Sequence, residues 1–172
     1  MAEPTTVPEL LDAGPDESWQ PPRWVWVVVV LALLVGSVGW YADHRVRAHE
    51  SAAMATCDRR LHRAVAYSDR QMIAMADYIQ PALSRTRGAQ RQGLAGLMSR
   101  PAQRVLPDVQ RADRICRGFS IQPWHFRLKA RRDAATALSG ALARQLAAVA
   151  ADGRAYYRHQ PLLRLRRAAG ID

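Results

Sequence analysis

The sequence predicts an all-α protein in which one transmembrane helix continues into a three-helix antiparallel bundle. Three observations carry that prediction. The 18 residues from Trp24 to Tyr41 include no charged side chain. No proline or glycine interrupts the chain from Ala42 to Gln80, so the helix begun in the apolar run has no reason to stop there. Beyond it, apolar residues recur at steps of three and four, the spacing of a buried helix face.

Taken in order, residues 1–22 read as a disordered acidic, proline-rich tail. Glu3, Glu9, Asp12, Asp16 and Glu17 precede the first base, Arg23, and Pro4, Pro8, Pro15, Pro21 and Pro22 punctuate the segment. Such a stretch buries too little to offset its ordering entropy. Residues 23–41 form the transmembrane helix, with Pro22 suited to its start. The charge-free run would extend about 27 Å as a helix, enough for the hydrocarbon core of a bilayer. All its backbone groups would be satisfied internally, which lipid demands. Trp24 and Trp26 at one end, with Trp40 and Tyr41 at the other, are the expected interface anchors, because their amphipathic rings favour the headgroup layer. A buried core helix is the soluble alternative. A cleaved leader is another, with Ser37 and Gly39 small enough for cleavage, but a basic leading region is missing.

Residues 42–172 form the arginine-rich bundle domain. They hold 24 basic and 10 acidic side chains, a net of +14, and Lys129 is the one lysine in the chain. The first stripe runs Met54, Cys57, Leu61, Ala64, Ser68, Met72, Met75, Ile79. A second runs Val105, Val109, Ala112, Cys116, Phe119, and a third Leu128, Ala135, Leu138, Leu142, Leu146, Val149, Gly153, Tyr156. Pro123 is expected to start the third helix and Pro161 to close it. Between Pro81 and Pro107, Gly88, Gly93, Gly96 and Pro101 predict a loop or broken helix, with one short helix near Gln90–Ser99.

Cys57 and Cys116 fall on the inward stripes of different helices, where a disulfide between them would stabilise the domain by roughly 4 kcal/mol. Two buried free thiols are the other reading. The orientation signals conflict. Arg45, Arg47, Arg59 and Arg60 outnumber Arg23 near the membrane and favour a cytoplasmic domain by the positive-inside rule. A disulfide would instead favour an oxidising exterior.

Trp40-Tyr41-Ala42-Asp43-His44-Arg45, Ala151-Asp152-Gly153-Arg154-Ala155-Tyr156-Tyr157-Arg158 and the two cysteines resemble single-pass membrane proteins of high-GC Gram-positive (actinobacterial-type) bacteria. The resemblance covers most of residues 24–160 and brings no activity with it. It implies an inside tail and a helical extracytoplasmic domain, and so tips the orientation outward.

Sequence signs of catalysis are weak. His44 and His49 are five apart and lack the spacing of a helical zinc pair; no metal or other cofactor is expected. Most carboxylates have an arginine at helix-pairing distance, as Asp108 with Arg111 and Asp113 with Arg117, so surface ion pairs account for them. No nucleophile elbow, phosphate loop or dinucleotide fingerprint occurs, and no enzymatic activity is expected. The arginines are the one global signal. Arg59, Arg60, Arg63, Arg70 and Arg111 are expected on outer faces, and Arg127, Arg131, Arg132, Arg164, Arg166 and Arg167 are the foremost candidates for contacting a polyanion. The partners implied are the lipid bilayer, anionic lipid and envelope polymers; no specific nucleic-acid motif is present. Phe119, Trp124, Phe126, Tyr156 and Tyr157 would gather at one bundle end as a hydrophobic plug or a binding surface. Ala32 and Gly36 form a small-xxx-small pair that would allow homodimerisation through the membrane helix. The function expected is envelope interaction or scaffolding without catalysis. The alternatives are a sensory or regulatory ligand-binding module and a membrane-tethered cytoplasmic polyanion binder.

Overall fold

The computed structural model describes residues 22–171. Of the expected tail, residues 1–21 lie outside the described residues. Among the described residues the chain forms four α-helices and no strand: α1 Arg23–Arg85, α2 Gly88–Arg117, α3 Phe126–Ala151 and α4 His159–Ala169. The fold divides into two compact units, one reaching Asp43 and the other beginning at His44.

In the first unit, α1 opens with the Val25 amide bonded to the Pro22 carbonyl at 2.9 Å. Trp24, Trp26, Trp40 and Tyr41 are all exposed, as are the valines and leucines from Val27 to Val38. Ser37, the one side-chain hydroxyl between Trp24 and Trp40, donates to the Leu34 carbonyl at 2.9 Å and so stays satisfied within its own helix. A helix apolar on every face forgoes about 1.5–3 kcal/mol for each large side chain left in water. Ala32 and Gly36 are exposed on this helix, and a Cβ at Gly36 would meet nothing within 4 Å.

The second unit has one continuous core drawn from all four helices. From α1 it takes Met54, Cys57, Leu61, Ala64, Ser68, Met72, Ala76, Ile79 and Leu83. The expected Met75 is instead 40% exposed, because the stripe advances by four at this point and Ala76 takes the inward place. Pro81 does not end α1, which runs on to Arg85. Only Thr86 and Arg87 separate it from α2, and Gly88 makes the turn with a left-handed φ of 63°.

α2 corrects the expected loop. It is helical from Gly88 to Arg117 through Pro101 and Pro107, so the short helix foreseen near Gln90–Ser99 is part of a 30-residue one. Each internal proline removes a backbone bond at a cost of about 3 kcal/mol. That cost is met by an unbroken buried face of Met98, Ala102, Val105, Val109, Ala112 and Cys116. Cys116 is disulfide-bonded to Cys57 across 59 residues, with their Cα atoms 4.9 Å apart.

α3 begins at Phe126, three residues after Pro123, and ends at Ala151 rather than at Pro161. It packs against both α2 and α4 and buries Ala135, Leu138, Leu142, Leu146 and Val149. By length and composition α3, like α1, is apolar enough to cross a membrane, but its apolar face is already occupied by the core. The turn at Asp152–Ala155 ends it, with the Asp152 carboxylate accepting from the Arg154 amide at 3.0 Å. Helical phase is lost there, so Tyr156 is exposed and Tyr157 buried, the reverse of the expected stripe.

The third main helix is therefore followed by a fourth. Pro161 stands in the first turn of α4, where its missing N–H has no helical partner to lose. Gly170 caps α4 in the left-handed region at φ 67°, and the Ile171 amide reaches back to the Arg166 carbonyl at 2.9 Å.

Candidate functional site

Charged and polar side chains tie α1 to the rest of the second unit at successive levels. At the first, the Glu50 carboxylate is buried. It accepts from the Gln122 amide at 2.7 Å through Oε1 and pairs with His125 Nδ1 through Oε2. His125 is the residue just before α3, so this pair pins the α2–α3 connection onto α1. Two levels on, Asp58 bonds Arg131 of α3 at 2.7 Å. Burial pushes the Asp58 carboxyl above its ordinary range, against the pull of Arg131 and His62.

Further along α1, Ser68 and Asp69 meet the segment that precedes α4 and α4 itself. The Ser68 and Tyr157 hydroxyls lie 3.3 Å apart, and Gln80 donates to the Tyr157 carbonyl at 3.3 Å. Arg166 clasps Asp69 with both terminal nitrogens, Nη1 at 2.7 Å and Nη2 closer still. Burial raises the Tyr157 phenol above its ordinary value; the Ser68 bond and Arg166 pull it down, and Asp69 pushes it up. On the other side of the core Asp113 accepts from Ser139 at 2.6 Å and from Arg117 at 2.9 Å.

These pairings change the roster of arginines open to a partner. Arg166 is only 8% exposed and is engaged with Asp69, so it is withdrawn from the polyanion candidates. Its place on the inner face of α4 follows from the helix the sequence reading did not foresee. Arg131 is held by Asp58, and Arg132 donates to the Phe119 carbonyl at 3.1 Å. Arg127, Arg164 and Arg167 are exposed. The structure does not gather the six into one patch: Arg127, Arg131 and Arg132 lie on α3, and Arg164, Arg166 and Arg167 on α4.

It does gather others. Arg60, Arg63 and Arg70 of α1 and Arg111 of α2 line one groove of about 360 Å³, together with Tyr67 and Asp108. Asp108 touches Arg111 at 3.6 Å in an exposed pair worth a few tenths of a kcal/mol. The sequence carried the signal for this groove: Arg60, Arg63, Tyr67 and Arg70 step by three, four and three, which is one helix face.

A larger groove of about 720 Å³ lies where the α2–α3 connection meets the first turns of α1 after Asp43. Trp124 and Phe126 line it, so the expected aromatic cluster is divided. Trp124, Phe126 and Tyr156 are exposed, whereas Tyr157 is buried and Phe119 partly so. Among the described residues no three His, Cys, Asp or Glu side chains converge to hold a metal ion. Comparison with known protein families, characterised proteins and solved structures gives no match.

Proposed function

We propose that the chain is a single-pass membrane protein whose basic helical domain stands outside the cytoplasm and binds anionic envelope polymer without catalysing a reaction. The observation that carries this reading is the groove of Arg60, Arg63, Arg70 and Arg111 in a chain whose first helix bares an 18-residue charge-free run. Lipid is the solvent in which such a surface costs nothing. Guanidinium forks match phosphate and carboxylate oxygens two at a time, and a row of them suits a repeating anion better than a single small one. The disulfide between Cys57 and Cys116 supports the exterior placement, because cytosolic thiols are kept reduced. It outweighs Arg45 and Arg47, whose count near the membrane favours the opposite side.

One experiment joins both halves of the reading. A topology reporter fused after Asp172 is expected to report the exterior, and alkylation without reductant is expected to leave both cysteines unmodified. Reporter activity in the cytoplasm with both thiols alkylated contradicts the placement. Full-length protein in detergent is then expected to bind inorganic polyphosphate in a salt-sensitive way. Neutralising Arg60, Arg63 and Arg70 to Gln should weaken that binding at least about tenfold. Unchanged binding by that variant would remove the groove from the account.

A further inference from the structure

We propose that the larger groove is a binding site for one anionic phospholipid of the membrane that holds the chain. The proposal rests on the membrane reading above. Ala48 of α1 with Trp124, Phe126 and Leu128 of the connection and α3 supply apolar walls, and Arg47 and Arg127 line the same space. Trp124 is 56% exposed and Phe126 74%, on a connection whose neighbour His125 is buried. Two large rings left in water by the core have much to gain from acyl chains, and the indole suits the headgroup boundary.

The arginines complete the match. Arg47 and Arg127 are exposed, and neither makes a hydrogen bond or ion pair among the described residues. A phosphodiester offers each guanidinium a bidentate partner. A soluble anion has no use for aromatic walls, and a neutral apolar ligand has no use for two unpaired charges. An anionic phospholipid uses both.

Covalent connection bounds the distance between the site and such lipids. His44 lines the groove and follows Tyr41 by three residues. Three residues span at most about 11 Å fully extended, so a Tyr41 at the headgroup boundary keeps the groove within reach of headgroups. The connection that carries Trp124 is also held in place beforehand. Glu50 accepts from the Gln122 amide at 2.7 Å and pairs with His125, which fixes the connection on either side of Trp124. A site ordered in advance loses less freedom when its ligand arrives.

The test uses the full-length chain in phosphatidylcholine vesicles, with Trp124 left as the one tryptophan by Trp19→Phe, Trp24→Phe, Trp26→Phe and Trp40→Phe. A minor fraction of lipid carries brominated acyl chains, as phosphatidylglycerol in one arm and phosphatidylcholine in the other. Brominated phosphatidylglycerol is expected to quench Trp124 more strongly at equal fraction. Arg47→Gln and Arg127→Gln should each raise the fraction needed for half-quenching roughly fivefold. In the chain with its native tryptophans, Trp124→Phe should remove the selective part of the quenching. Equal quenching by the two lipids, or no effect of the arginine variants, overturns the proposal. Quenching that follows protein density and not lipid identity assigns the groove to a second copy of the chain and overturns it as well. Failure of the chain to float with the vesicles defeats the membrane reading and this one together; flotation without selective quenching defeats only this one.

Discussion

At the scale of single residues, the second unit depends on polar and charged groups that are wholly or partly buried with their partners. Arg166 and Asp69 are the sharpest case, since removing one leaves the other charged and poorly solvated. Asp69→Ala should cost about 3–5 kcal/mol in chemical denaturation, while Asp69→Ala with Arg166→Met should recover most of it. Tyr157 gives a pH test. Its phenol is raised above the ordinary value of about 10, so its contribution is complete below that value. The contribution is lost as pH climbs through the higher value in the folded chain. Denaturation midpoints should therefore fall on the alkaline side, and Tyr157→Phe should flatten that fall. Little of this was legible beforehand. Glu50 and His125 are 75 positions apart, and Asp69 and Arg166 are 97 apart. Helix spacing reveals neighbours three or four residues away, such as Asp113 and Arg117, and is silent on pairs that only tertiary packing creates.

At the scale of elements, periodicity read the helices better than punctuation did. The stripes through Met54, Val105 and Leu138 are the core faces of α1, α2 and α3. The errors came from treating proline and glycine as stops. Pro81, Pro101 and Pro107 lie inside helices, because burial of the adjoining face outweighs the local penalty, and Pro161 sits in the first turn of one, where there is little penalty to outweigh. Gly153 shows the opposite error. By spacing it continues a helical stripe, but it marks the place where the chain leaving α3 presses on α2. A Cβ there would be driven into the Ala95 backbone carbonyl, which cannot swing away as a flexible side chain would. Gly153→Ala should therefore destabilise the domain by about 1–3 kcal/mol, read as a lower thermal midpoint. The same change at Gly93, where the added carbon meets nothing within 4 Å, should raise the midpoint through better helix propensity.

At the scale of the whole molecule, the two units expose opposite kinds of surface. The second unit has the surface of a domain made for water: most of its large apolar residues are inside, its cysteines are bridged, and most of its arginines are on the surface. The first unit does the reverse, with Trp24, Leu33, Val35 and Trp40 among the most exposed apolar side chains. The charge-free run made the apolar helix legible from composition alone, and its length and polarity are the quantities a bilayer selects on. The partner surfaces were less legible, since they depend on which arginines the core consumes. Fractionation of cells expressing the full-length chain tests the central claim most directly. After lysis without detergent and an alkaline carbonate wash, the intact chain is expected in the membrane pellet and to be released by detergent. Recovery of the intact, untrimmed chain in the washed supernatant would contradict the account.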